Sequence, residues 1–298
     1  MSLPPPGVLI QVTIGGLLTG GVYALMVSGL TLIFGVMRVI NIAHGAFLVL
    51  SAYIAYWLFR LFGLDPILSI FVIAPLFFVV GVFVQRYLLS RVRQEPGLLV
   101  LVTFALAIML EGVMGALWQS TGRSVRTAYT GEVLQFALAD LTIRMPIVRL
   151  VGFAAAVVAL SLLYLLLIRS DLGRAIRATI QNPDAAQLVG VNVARVRAMT
   201  FGAGLATVAA GGAVFSLIWT FNAASHEVWI SKMLAIVVLG GMGSLPGALI
   251  AALIIGVAEA IAAVTITTYL SPIVSYLILF LILIFRPQGL MGTRIREA

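Results

Sequence analysis

Hydrophobic residues fall in long blocks separated by short polar punctuation. Apolar segments occupy 8–36, 46–59, 66–85, 97–118, 150–168 and 198–221, and three more fit between Lys232 and Arg286. Stretches of about 20 apolar residues predict helices that cross a bilayer, because ~30 Å of hydrocarbon at about 1.5 Å per residue takes that many. The last block has 53 residues interrupted only by Glu259, and GGMGSLPG at 240–247 and Ser271-Pro272 divide it into three passages of unequal length. The pattern predicts an all-α polytopic membrane protein of about nine transmembrane helices, range eight to ten, forming a single domain over residues 1–298. Two segments, 46–59 and the one entering GGMGSLPG, are short and are expected to be broken or partial helices.

Composition agrees: 62% of residues are hydrophobic and the mean hydropathy is +1.17, which excludes a soluble domain of any size. The net charge of +8 does not point to nucleic acid, because the basic residues are scattered over many loops instead of gathered in one patch. They report sidedness. With nine alternating crossings, Arg38, Arg86, Arg91, Arg93, Arg169, Arg174, Arg177, Arg195, Arg197, Arg286, Arg294 and Arg296 share one side, 12 of the 18 basic residues. The positive-inside rule makes that side cytoplasmic, with the N-terminus out and the C-terminus in. The opening MSLPPPG carries no basic side chain, so the first apolar run is read as a retained helix, not a cleaved signal. The chain has no cysteine, no Walker phosphate loop and no His and carboxylate cluster at metal-ligand spacing. No catalytic residue, cofactor or metal is expected, and the chain is not read as an enzyme.

One segment breaks the apolar pattern. Residues 169–197, RSDLGRAIRATIQNPDAAQLVGVNVARVR, hold five of the basic residues together with Asp171 and Asp184. In the first half, Ser170 or Asp171 is a candidate N-cap, and Leu172, Ala175, Ile176 and Thr179 recur at helical spacing opposite Arg174, Arg177 and Gln181. That predicts an amphipathic helix at the membrane surface, its arginines toward lipid phosphates or a partner. In the second half, Asn182 suits the N-cap, Pro183 the first helical position, Asp184 the positive helix end and Gly190 the left-handed stop. A helix of about seven residues is too short to stand alone, so it must dock on something. Ala185, Leu188 and Val189 share one face, offered either to a soluble partner or to the chain's own spans.

Polar residues inside the apolar blocks are candidates for a translocation path. Asn41, His44 and Gly45 precede the short second segment, and Gly240, Gly241 and Gly243 follow the other short one. Interrupted helices in corresponding halves of a transporter line its pathway, but glycines also simply let helices pack closely. Glu111 and Glu259 lie within spans, where an uncompensated charge costs about 2.5–3.5 kcal/mol. Each needs a partner subunit, a proton, water or a packed interface. His226 and Glu227 are read as part of an outer loop.

Four blocks resemble a known family in order and spacing. They are GGVYALMVSGLTLIFGVMRVINIAHGAFLVLSAYIA at 20–55, the 169–197 island followed by FGAGLATVAAGGA, VVLGGMGSLPGALIAALIIGVAEA at 237–260, and FRPQGL at 285–290. The chain resembles permease subunits of the branched-chain amino acid ABC importer family, the LivH type. That resemblance implies a multi-pass permease of the bacterial inner membrane, driven by alternating access and carrying branched-chain amino acids. Other amino acids, urea or small organic acids are the alternative cargo, and an ion-coupled transporter or channel is the alternative class. It further implies that Asp184, Ala185, Ala186, Leu188, Val189 and Gly190 couple to the ATPase, Asp184 standing where the general motif has Glu. The implied partners are a second homologous permease, two ATP-binding cassette subunits and a periplasmic binding protein, which would meet the outer loop at 119–149.

Overall fold

The structure, a computed structural model, describes residues 5–92, 95–138, 141–268, 270–286 and 288–292. Arg93, Arg294 and Arg296 of the cytoplasmic set and Pro287 of FRPQGL lie outside these. The elements are α1 (Pro6–Met37), α2 (His44–Phe62), α3 (Pro66–Phe83), α4 (Pro96–Trp118), β1 (Val133–Leu138), β2 (Leu141–Pro146), α5 (Ile147–Arg169), α6 (Asp171–Gln181), α7 (Pro183–Leu188), α8 (Val193–Ile218), α9 (Ser225–Gly240), α10 (Leu245–Thr265) and α11 (Ser271–Phe285). A π turn at Val84–Leu88 and a 3-10 turn at Leu89–Arg91 prolong α3. Seven helices are long and apolar enough to cross a membrane, while α9 has 16 residues and α11 has 15. Among the described residues, the nine predicted apolar segments therefore correspond to nine helices.

Two boundaries move. Lys232 does not open the seventh segment but lies inside α9, and α8 begins at Val193. Reading charge as punctuation fails at Lys232 because a buried counter-ion neutralises it. The outer loop, left without structure by the sequence, forms an antiparallel hairpin with Val133 opposite Pro146 and Leu138 opposite Leu141.

Helices dominate because hydrocarbon offers no partner for a free N–H or C=O, and a helix satisfies its own. Side chains satisfy the starts. Asp65 accepts from Ile67 N at 2.8 Å, Asn192 from Arg195 N at 2.9 Å and Ser244 from Gly247 N at 3.2 Å. Pro75 is tolerated within α3, as proline is in membrane helices.

The two halves repeat with reversed direction. α1 and α8 cross antiparallel, with Ile33 and Gly29 meeting Gly204 while Met26 meets Gly211. α10 lies against α1, where Gly16 meets Gly256 and Val257 and Gly20 meets Ala252 and Leu253. α3 lies against α8 in the same way, Gly81 meeting Phe201 and Gly202. Each half thus runs as a long helix, a tight turn, a short helix and a third helix that packs on the other half's long one. In both turns an Asn carbonyl accepts the amide three residues on, Asn41 from His44 and Asn222 from Ser225.

The helices α2 and α9 start beside the long ones. His44 Nε2 lies 3.1 Å from the carbonyl of Met26, eleven residues before the end of α1 at Met37, about 16 Å back along that helix. Residues 38–43 therefore fold back along α1, and α2, expected to be short or broken, is an unbroken helix of 19 residues and one of the seven long enough to cross a membrane. Its start abuts the start of α9, since Gly45 packs on the His226 carbonyl and Ile230.

Glycine at the central crossing is a matter of space. A Cβ on Gly29 would overlap the Gly204 carbonyl oxygen and Thr207 Oγ1, and the backbone atom cannot yield. Gly29→Ala is expected to lower stability by about 1–3 kcal/mol. Gly112→Ala, in open space on α4, should be neutral or slightly stabilising. Thermal unfolding in detergent measures both, and a G29A midpoint at the wild-type value contradicts the packing account.

Candidate functional site

The island folds as two capped helices. Ser170 Oγ accepts from Gly173 N at 2.9 Å and starts α6, whose Ile176 and Thr179 are buried while Arg174 and Arg177 stay exposed. Arg174 pairs with Asp171, and Arg177 donates to the Leu167 carbonyl, closing α6 onto the end of α5. Gly173 sits so close to the Leu167 carbonyl that no side chain fits there. α7 starts on Asn182, whose Oδ1 accepts from the amides of Asp184 and Ala185, both at 3.0 Å.

α7 stops on Gly190, at φ +87°, in a Schellman arrangement: Val191 N donates to Ala186 O and Gly190 N to Gln187 O, each at 3.0 Å. Ala186 faces inward, 4% exposed, and anchors α7 to the rest of the chain. Of the residues assigned to coupling, Ala186 is thus a foot and not a contact surface. Asp184, Ala185 and Gly190 are exposed, and Leu188 and Val189 are 90% and 79% exposed. The apolar face does not pack on this chain's own spans. Arg38, which ends α1 in the left-handed region at φ 55°, reaches the Ile180 carbonyl at 3.5 Å. A cavity of about 280 Å³ lies between this point and Gly243 and Ser244, so the island touches α1 and borders the glycine turn after α9.

Glu259 is buried and fully engaged. Lys232 Nζ lies 2.9 Å from Oε1, Ser275 Oγ donates to the same oxygen at 2.5 Å, and Tyr23 donates to Oε2 at 2.8 Å. Ser271 Oγ donates to the Glu259 carbonyl at 3.0 Å. The Lys232 ammonium also sits 5.0 Å from the ring centres of Tyr23 and Trp229. One carboxylate therefore ties α1, α9, α10 and α11 together. Sequence reasoning named Glu259 but missed Lys232, Tyr23 and Ser275. The signal was present, since Lys232 and Glu259 are the sole charges between Glu227 and Arg286 and have opposite sign.

Glu111 is paired too. His226 Nε2 lies 3.0 Å from Glu111 Oε2. His226 is a correction: it sits in the first turn of α9, 4% exposed, and not in a solvated outer loop, because Glu111 of α4 and the start of α2 close over it. Glu227 is exposed. Around this meeting of helix starts, the Asn41 amide and the Nδ1 atoms of His44 and His226 are buried without a hydrogen-bond partner among the described residues. Gly240 and Gly241 pack instead on Gly247, Ala248 and Gly292, and the chain returns so that Leu290 N and Met291 N donate to the carbonyls of Leu239 and Gly240. Both glycines are thus in close backbone contact. Gly243, at φ +84°, faces Gly35.

On the outer side Tyr129 donates to both Asp65 oxygens, at 3.0 and 2.8 Å, holding the loop to the start of α3. Burial and then this hydrogen bond push the phenol up to about 12. A raised folded-state value means the latch keeps its proton through the neutral range; its contribution is present below about pH 10 and lost as pH rises toward 12.

A sequence profile described as "Branched-chain amino acid transport system / permease component" matches residues 12–285. The chain is 30% identical over 298 residues to the high-affinity branched-chain amino acid transport system permease protein BraD of Pseudomonas aeruginosa, covering 95% of each chain. It is 27% identical over 296 residues to the corresponding LivH proteins of Salmonella typhimurium and Escherichia coli, again covering 95% of each. No solved structure matches at a significant level.

The ion pair makes a sharp prediction. Lys232→Met strands a buried carboxylate and should cost about 3–5 kcal/mol, whereas adding Glu259→Gln to it should recover most of the loss. Thermal denaturation of the purified chain checks both, and wild-type behaviour of the single variant contradicts the assignment.

Proposed function

The chain belongs to the branched-chain amino acid transport system permease family, and on that premise we propose that α7 is its coupling helix. In this reading the protein is a multi-pass permease subunit of the plasma membrane, importing branched-chain amino acids by ATP-driven alternating access. It works with ABC transporter partners: a second homologous permease beside it, two ATP-binding cassette subunits below and a periplasmic binding protein above, at the outer hairpin.

The observation that carries this is the exposed apolar end of α7. A helix of six residues, capped at both ends and footed on Ala186, presents Leu188 and Val189 away from its own chain. Such a rigid apolar knob is suited to a hydrophobic groove in a soluble partner, with Asp184 beside it for a basic contact. Movement there has a route inward. α7 leans on α6 and α8, α6 meets α1 through Ile180 and Arg38, and α8 crosses α1 at Gly29 and Gly204. The family resemblance supports the same residues from the sequence side, with Asp184 in the place of Glu.

Asp184→Arg and Leu188→Asp should each reduce ATP-dependent leucine uptake at least tenfold while leaving membrane insertion and the thermal midpoint unchanged. Uptake in proteoliposomes and co-purification of the ATPase read the result. Wild-type uptake by both variants rules α7 out as the coupling contact.

A further inference from the structure

An outer cavity of about 690 Å³ opens between α1, α5, α10 and the start of α11, beside the end of β2. Its volume falls within the ~300–1,000 Å³ of small-ligand sites. Leu18, Ile218, Trp219, Ala260 and Ala263 give it an apolar body. Its floor reaches Tyr23 and Glu259, the network that joins four helices.

The charges lining it do not cancel. Glu259 is neutralised from behind by Lys232, 2.9 Å away. Arg149, half-buried at the start of α5, has no salt bridge or hydrogen bond among the described residues, and its guanidinium lies over Gly15 in the cavity wall. Arg144 adds a second positive charge at the exposed rim. A cleft with low-dielectric walls and one uncompensated sign of charge concentrates ligands of the other sign. A partly buried guanidinium is also the side chain best shaped to hold a carboxylate through two parallel hydrogen bonds.

We propose that this vestibule is the outward-facing entry site and that it takes a small carboxylate-bearing solute with an aliphatic body, its carboxylate paired with Arg149. The proposal rests on the permease reading and names where the substrate first meets this chain. The apolar body suits a branched side chain, and the neutral Lys232–Glu259 pair leaves Arg149 as the anchor. Because Tyr23, Glu259 and Ser271 line it, a ligand there meets α1, α10 and α11 together.

The absence of cysteine allows a direct test. Ala263→Cys is placed in the chain assembled with its partners in membranes, and sulfonate-bearing or trimethylammonium-bearing methanethiosulfonate is added from the outer side. Label is read by mass on this chain alone. The anionic reagent should react faster by about tenfold. Arg149→Gln should abolish that preference and Arg149→Lys should retain it, while saturating leucine should slow labelling and leucinamide, lacking the carboxylate, should not. No labelling, no charge preference or equal protection by leucinamide overturns the site. ATP-driven leucine uptake by the same complex tests the permease reading separately. If uptake is absent while the Arg149-dependent preference persists, the parent reading fails and the anion-binding vestibule stands; if uptake is normal without protection, the vestibule alone is wrong.

Discussion

The approach of α1 to α8 at Gly29 and Gly204 is the constraint on which the rest depends. In hydrocarbon there is no water to expel between helices, so association rests on van der Waals contact, and contact is best where the backbones nearly touch. The small residues permit that, and both long helices are sheathed by protein over most of their length. Their antiparallel crossing forces the rest of each half to face the other way, which is why α10 finds α1 and α3 finds α8.

Around that crossing, the two carboxylates within the helices are both engaged. Glu259 meets Lys232 and two hydroxyls, and Glu111 meets His226. These contacts link helices distant in sequence, so Glu111 and Glu259 each tie separate helices of the bundle together. The junction where α2 and α9 begin concentrates buried polar atoms, and the vestibule leaves Arg149 without a salt bridge or hydrogen bond among the described residues. The island meets α1 through Ile180 and Arg38.

Much of this was legible in the residues because membrane burial imposes length and local chemistry imposes caps. Apolar blocks mark the helices, and Asn182, Pro183 and Gly190 mark the limits of α7. What escaped was whatever depends on a partner distant in sequence. Lys232 looked like a boundary because its counter-ion lies 27 residues away. His226 looked solvated because Glu111 lies 115 residues away. The hairpin at 133–146 carries no strong turn signal, and the burial of Ala186 beside the exposed Ala185 and Leu188 depends on how α7 sits on α6 and α8. The reversed repeat was hinted at by two short glycine-flanked segments, but letter similarity between the halves is low, and only their packing reveals it.

We propose this chain as a path-forming subunit that receives its motion from outside, at α7. Uptake of leucine into proteoliposomes tests it most directly, comparing the purified chain alone with the chain joined by its homologous permease, ATPases and loaded binding protein, each with and without ATP. The account predicts accumulation only in the complete assembly and only with ATP. Accumulation by the chain alone, or by the assembly without ATP, contradicts it.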